Sequence, residues 1–215
     1  MNKFFTNKVI AIAVIIALVL LDQIAKIIVK TNMTIGDEIP VFGKWFIIHF
    51  TENEGMAFGL SFGGVIGKYI LTIGRIAVLF FIIMYLLKLL KLDNVPKGVI
   101  VGVSLLIAGA LGNIIDSVFY GVLFSSSYWG ETAKFLSEEG GYSTWLQGHV
   151  VDMLYFPVIN THLPSWFPIA PNKHFIFFRP IFNIADAALT CSIAYLFIFQ
   201  RKFFNTMYSK KKSII

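Results

Sequence analysis

The stretch VIAIAVIIALVLLDQIAKIIV, residues 9–29, decides the class of fold. It is almost wholly apolar and is interrupted by Asp22 and Lys26. At 1.5 Å per residue, a helix of this length crosses the ~30 Å hydrocarbon core of a bilayer. No small-residue cleavage site follows the stretch, so we interpret it as a retained first membrane helix rather than a signal peptide.

The composition of the whole chain agrees with a membrane protein. The 215 residues are 57% hydrophobic and 14% charged, whereas soluble domains carry about 25% charged residues. We predict an all-α integral membrane protein, a single domain over 1–215 with four transmembrane helices. The spans fall at about 9–29, 69–87, 98–119 and 181–200, the outer loops at about 31–67 and 120–180, and a basic tail at 201–215. Aromatic and β-branched residues at 42–51 predict a small β-containing element in the first outer loop.

The basic residues set the predicted orientation. Ten of the 18 Lys and Arg residues lie in short segments on one side: Lys3, Lys8, Lys88, Lys91, Lys97, Arg201, Lys202, Lys210, Lys211 and Lys212. The positive-inside rule therefore places both termini in the cytoplasm and the two long loops outside. No basic stripe with interleaved aromatics is present in the sequence, so we expect no nucleic-acid partner.

Polar residues recur at the outer ends of the third and fourth spans. Asn113 and Asp116 have i, i+3 spacing, and so do Asn183 and Asp186, which predicts one shared helix face for each pair. Asp152 stands among apolar residues of the second outer loop. The topology therefore predicts that Asp152 and Asp186 meet at the outer membrane boundary.

Two carboxylates in a low-dielectric site do not easily ionise together, so one pKa rises and the other falls. Such a pair can supply the base and the acid that activate water on an amide, with no metal or cofactor. Carboxylates in spans can also be helix caps, interhelical hydrogen-bond partners or cation ligands. The leading alternative is a small transporter using Asp186 and Asp116, although the sequence shows neither inverted halves nor paired broken helices.

Five motifs in this order resemble bacterial prolipoprotein signal peptidase, the signal peptidase II family: LDQIAK, NEGMAFGL, AGALGNIID, HVVDM and FNIAD. They touch all four predicted spans and both outer loops. The resemblance implies an intramembrane aspartic endopeptidase that cuts a lipid-modified prolipoprotein before its diacylglyceryl cysteine. It implies membrane lipids and prolipoproteins as partners, a location in the bacterial inner membrane with the site near its outer face, and a monomer.

The same resemblance assigns individual residues. Asp152 and Asp186 match the catalytic aspartates. The residues that bind substrate or shape the site are expected to be Asn53, Gly55, Asn113, Asp116, Asn183 and Ala185. Asp22 and Lys26 match a polar pair that we interpret as structural, because an acid four residues before Lys is the favoured helical order.

One departure from the family pattern stands inside a motif. The family usually has Arg after the Asp of the G-N-x-x-D motif, where it contacts substrate, and this chain has Ser117. Either another cation replaces it, with Arg75 and Arg179 as candidates, or substrate contact differs. Residues 121–149 and 157–180 also look longer than the family needs, which suggests a larger outer element such as a lid or partner surface.

Overall fold

The computed structural model describes residues 3–54, 64–127, 130–168 and 171–212. The helices are α1 (Lys3–Asn32), α2 (Gly64–Leu90), α3 (Lys97–Ile115), α4 (Gly121–Leu123), α5 (Ile184–Phe199) and α6 (Arg201–Lys212), with a π-helical turn Asp116–Tyr120 joining α3 to α4. The strands are β1 (Glu38–Phe42), β2 (Phe46–Asn53), β3 (Val150–Tyr155), β4 (Ile159–His162), β5 (His174–Phe177) and β6 (Ile181–Phe182).

Three stretches of helix in the described residues have the length and apolar character of a membrane span: Thr6–Asn32, Gly64–Leu90 and Lys97–Leu123. A fourth span arises only if α5 and the start of α6 are taken together, and they are bent by 67°. Large apolar side chains are exposed along the helices, among them Ile16 at 53%, Ile70 at 67% and Phe197 at 76%. Lipid accounts for such surfaces, since water-soluble proteins rarely expose large apolar patches.

Helix α3 is the centre of the bundle and packs against α5, α1 and α2. Glycines allow the close approach of α5. A Cβ at Gly102 would lie 2.5 Å from Leu196 Cδ2, and one at Gly109 would lie 2.5 Å from the Ala185 carbonyl oxygen. At Gly112 it would lie 2.6 Å from Asp22 Oδ2 of α1. Small residues of α3 therefore bring α1, α3 and α5 together.

An antiparallel sheet with strand order β1-β2-β3-β6 packs through β3 against α1 and the π-helical turn that follows α3. The prediction of a β element in the first outer loop was right but incomplete, because β3 and β6 come from the second loop. Strands β4 and β5 form a separate hairpin. Thr51 is paired with Asp152 in the β2–β3 register, which brings the two loops together at this carboxylate.

Two predicted boundaries need correction. The span expected at 181–200 begins at Ile184, since Ile181 and Phe182 belong to β6. A short apolar run does not distinguish a strand from the start of a helix. The segment predicted as a basic tail is helical through Lys212, with its basic residues at its two ends.

Candidate active site

A capping box begins α5. Asn183 is the N-cap, and its Oδ1 accepts a hydrogen bond of 2.8 Å from the Asp186 backbone N–H. Asp186 Oδ2 accepts from the Asn183 N–H at 3.4 Å. The expectation that these two residues share a helix face was wrong, because Asn183 precedes the helix. Their three-residue spacing instead satisfies helix-start donors, so Asp186 has a capping role in addition to any role in the site.

The Asn183 side chain is fully buried and points toward Asp152. Its Nδ2 donates to Asp152 Oδ1 at 2.7 Å, to Asn113 Oδ1 at 3.0 Å and to the Val151 carbonyl at 3.2 Å. One amide group therefore links the start of α5 to β3 and α3.

Asn113 completes the link between the two carboxylates. Its Nδ2 donates to Asp186 Oδ1 at 2.7 Å, while its Oδ1 accepts from Asn183 and, at 3.0 Å, from Lys26 Nζ. The lysine and Asn183 donors fix the orientation of the Asn113 amide, with its NH₂ toward Asp186. Asp152 and Asp186 are thus joined through two hydrogen-bonded amides on α3 and at the start of α5.

Asp152 is the more buried of the two carboxylates, at 3% exposure, whereas Asp186 is half-buried. Burial and the neighbouring charge of Asp186 raise the pKa of Asp152 to about 7. The amides of Asn53, at 3.3 Å, and Asn183 oppose this rise, because they donate to the ionised form. Asp152 is therefore placed to hold a proton near neutral pH.

A buried ion network lies directly beneath the amides. Lys26 Nζ lies 2.8 Å from Asp22 Oδ2 and 2.8 Å from Asp116 Oδ2, and all three side chains are inaccessible to solvent. Asp22 Oδ1 accepts from the Ala185 N–H at 2.9 Å, and Asp116 Oδ2 accepts from the Val151 N–H at 3.2 Å. The network therefore holds the start of α5 and strand β3 against α1 and α3.

This arrangement separates the predicted site residues into two groups. Asn113 and Asn183 contact the carboxylates directly, and Asn53 contacts Asp152. Asp116 and Ala185, both fully buried, act on the site through the ion network and the backbone. Gly55 lies outside the described residues.

Gln23 belongs to the site's supporting layer and was not singled out from the sequence. Its amide nitrogen donates to Asp116 Oδ1 at 2.9 Å, and its side-chain oxygen accepts from the Tyr120 hydroxyl at 3.2 Å. Its place next to Asp22 in an apolar stretch was the available signal.

A second cluster, formed by Lys30, Glu52, Ser127 and His149, ties the C-terminal end of α1 to the two long loops. Lys30 is fully buried, forms an ion pair with Glu52 and donates to Ser127 Oγ at 2.9 Å. His149 Nδ1 lies 3.1 Å from Glu52 Oε2. Burial alone would raise the pKa of Glu52, but the hydrogen bond with His149 and the charge of Lys30 lower it to about 2. Glu52 precedes Asn53, so this cluster fixes the strand end that reaches Asp152.

We expect Glu52→Gln to loosen the second loop locally by about 1.5–3 kcal/mol, the value of a hydrogen bond to a charged group. The depressed pKa of Glu52 means that its contribution is complete above pH ~4.5 and is lost as pH falls through about 2. The measurement is hydrogen–deuterium exchange at residues 123–127 and 142–149 near neutral pH, which should accelerate.

The matched control for this prediction is Glu38→Gln, since Glu38 is 48% exposed and pairs with His49. An exposed pair contributes little, so exchange in the second loop should not change. Equal exchange in the Glu52 variant and in the unmodified protein would contradict the proposed tie.

The fold and the site define a membrane enzyme. Two solved structures described as bacterial membrane enzymes determined by the in meso method match it with TM-scores of 0.54 and 0.55, each at 26% identity. They cover 89% and 87% of this chain, and the match spans 87% and 90% of their own chains.

The chain belongs to the signal peptidase II family, a family of proteases. The sequence model of Signal peptidase (SPase) II matches residues 14–202. A lipoprotein signal peptidase from Porphyromonas gingivalis is 42% identical over 214 residues, which is 100% of this chain and 92% of the relative. Another from Amoebophilus asiaticus is 36% identical over 85% of this chain and 74% of its own length. One from Staphylococcus aureus is 30% identical over 99% of this chain and 98% of its own length.

Proposed function

We propose that the protein is an aspartic endopeptidase that removes the signal peptide from diacylglyceryl-modified prolipoproteins, with Asp152 and Asp186 as its catalytic pair. The observation that carries this proposal is the pair itself: two carboxylates joined through Asn113 and Asn183, one buried and one half-buried. The relatives' description as lipoprotein signal peptidases supports the substrate class.

The environments of the two carboxylates support different chemical roles. Asp186 would accept a proton from the attacking water, whose oxygen forms a bond to the scissile carbonyl carbon. Asp152, whose pKa is raised to about 7, would donate its proton to the carbonyl oxygen. Collapse of the tetrahedral gem-diol then breaks the C–N bond. The cysteine nitrogen leaves with the proton from Asp186, and one hydroxyl of the gem-diol returns its proton to Asp152 as the carboxylic acid forms. A carboxyl group whose surroundings raise its pKa toward neutrality suits the acid role in such an exchange.

The membrane setting proposed for this reaction follows from the charge distribution and the apolar helices. Both termini lie in the cytoplasm, the sheet covers the bundle at the outer face of the inner membrane, and the substrate enters from the bilayer. Its acyl chains remain in lipid while the bond before the cysteine reaches the carboxylates at the outer end of α3 and α5.

The test of the proposal is direct. The purified protein in detergent micelles or nanodiscs is given a precursor with a diacylglyceryl cysteine and, separately, the same precursor without the lipid. Cleavage immediately before the lipidated cysteine, and none without the lipid, is the expected result. Failure to cleave the lipidated precursor would refute the proposed substrate.

We expect kcat/KM to decline above pH ~7. Asp152 is protonated below its pKa of about 7 and loses its proton as pH rises through that value, so the general acid disappears. The profile between pH 5 and 9 should fall about tenfold per pH unit on its basic side. Activity that continues to rise up to pH 9 would contradict the assignment of the proton to Asp152.

Asn53→Ala provides an internal check on this profile. The Asn53 amide donates to Asp152 and stabilises its ionised form. Its removal should therefore raise the pKa of Asp152 and move the basic limb to higher pH. The position of the limb reports this effect separately from any change in the rate.

A further inference from the structure

Helix α2 carries a polar face that the catalytic pair does not account for. Most of the helix presents apolar side chains outward, but Thr72 is buried and its hydroxyl donates to the Leu146 carbonyl at 3.1 Å. Residues three apart lie on the same face of a helix, so Arg75 points in the same direction as Thr72, toward the protein. A cation within a membrane span is costly and marks a functional contact by default.

Arg75 approaches the candidate active site from the side of α2. Its Nη1 lies 3.5 Å from Ser117 Oγ, and that hydroxyl donates to the Asn113 carbonyl at 2.9 Å. The guanidinium is half-buried and interacts electrostatically first with Asp186 and then with Asp152. It therefore faces both carboxylates, while the Asn113 and Asn183 amides contact them from α3 and the start of α5.

Helices α2 and α5 both pack on α3, and in the described part of the chain they have no comparable contact with each other. Arg75 from α2 and Asp186 from α5 thus approach the outer part of α3 from two different helices. A peptide that enters from the bilayer between α2 and α5 passes between them.

A peptide must be unwound at the bond that is cut, and its carbonyl oxygens then lose their helical donors. In a site shielded from water, an unpaired carbonyl costs several kcal/mol. A guanidinium supplies planar N–H donors that suit such acceptors. Resting on the proposed function, we propose that Arg75 is a substrate-binding residue that donates to a backbone carbonyl beside the scissile bond, with Ser117 orienting it.

The test measures kcat and KM for a diacylglyceryl-modified peptide at fixed detergent concentration. Arg75→Gln should raise KM about 10- to 100-fold, as expected for loss of a hydrogen bond from a charged donor. The double variant Arg75→Gln/Ser117→Arg should have a KM within about threefold of that of the unmodified protein. Arg75 Nη1 lies 3.5 Å from Ser117 Oγ, so an arginine at position 117 places a guanidinium close to the one that was removed. Arg179→Gln is the matched control, since Arg179 is exposed in the second loop, and it should leave KM unchanged.

Other outcomes overturn the proposal. If KM is unchanged in Arg75→Gln, whether or not the pH profile shifts, Arg75 does not bind substrate and acts only through its charge on the two carboxylates. Arg75→Lys keeps the charge and provides a second test if Arg75→Gln does not fold. A KM several-fold above that of the unmodified protein supports the proposal, and a KM equal to it refutes the proposal. If the unmodified protein cleaves and Arg75→Gln cleaves equally well, this inference fails while the proposed function stands.

Discussion

Asp152→Asn and Asp186→Asn are each expected to reduce cleavage of a lipid-modified precursor by about 10³-fold or more. General acid–base catalysis contributes typically 10²–10⁴-fold, and either substitution removes a proton-transferring group from the pair. An amide neither takes a proton from water nor gives one to the carbonyl oxygen. The measurement is single-turnover cleavage of the lipidated peptide by purified variants at pH 6–7.

Both variants should still fold, which separates chemistry from stability. The folded pKa of Asp152, about 7, lies above its unfolded value near 3.9, so its ionised form costs stability that grows from pH ~3.9 and is complete above pH ~7. Asp152→Asn removes this cost, so its melting temperature at pH 8 should not fall. Asp186→Asn weakens the capping box and should lower the melting temperature slightly.

Asp93→Asn serves as the matched control, because Asp93 is exposed between α2 and α3. It should match the unmodified protein in both rate and melting temperature. Cleavage at the unmodified rate by either active-site variant would end the catalytic assignment.

Lys26→Met should cause the largest loss of stability. The substitution leaves Asp22 and Asp116 buried and facing each other without their shared cation. Removing one partner of a buried ion pair costs about 3–5 kcal/mol, and Asn113 also loses the donor that orients its amide. The variant should melt several degrees lower in detergent, measured by size-exclusion chromatography after heating, and its cleavage rate should fall as well.

A compensating variant distinguishes charge from packing. Adding Asp22→Asn and Asp116→Asn to Lys26→Met removes the uncompensated charges, so part of the lost stability should return. Lys44→Met, at an exposed position in the β1–β2 turn, should have no effect on melting. Equal melting of Lys26→Met and the unmodified protein would show that the network is not structural.

Apolar length and composition were sufficient to predict the helical bundle. The charges that interrupt the apolar runs identified Asp22, Lys26, Asp116 and Asp186, because an ionisable group within a membrane span is energetically costly and usually has a function. The i, i+3 spacing indicated Asn113 and Asn183, and the resemblance added Asn53; the structure brings all three to the carboxylates. These residues were predictable because charged residues within apolar runs, and the order of the motifs, can be read directly from the sequence.

The remaining features depend on contacts between distant segments. The local sequences of β3 and β6 do not indicate that these strands join the β1–β2 hairpin, since strand pairing depends on contacts with segments that are distant in the sequence. Lys30 resembled an ordinary charge at a helix end, yet it is buried by Glu52 and Ser127 from two different loops. The orientation of Arg75 likewise depends on where α2 sits against α3.

The two helices that flank α3 differ in how they are held. Glycines of α3 seat α5 closely: the Ala185 carbonyl packs on Gly109, and the Leu196 side chain packs on the backbone at Gly102. Helix α2 instead is attached to the second loop, through Thr72 to Leu146 and through the Val65 carbonyl to Gln147. If the substrate enters between α2 and α5, as proposed, widening that gap displaces α2 together with the second loop and leaves α5 in place. A ligand that holds the second loop against α2 should then slow cleavage of a lipidated precursor without touching either carboxylate.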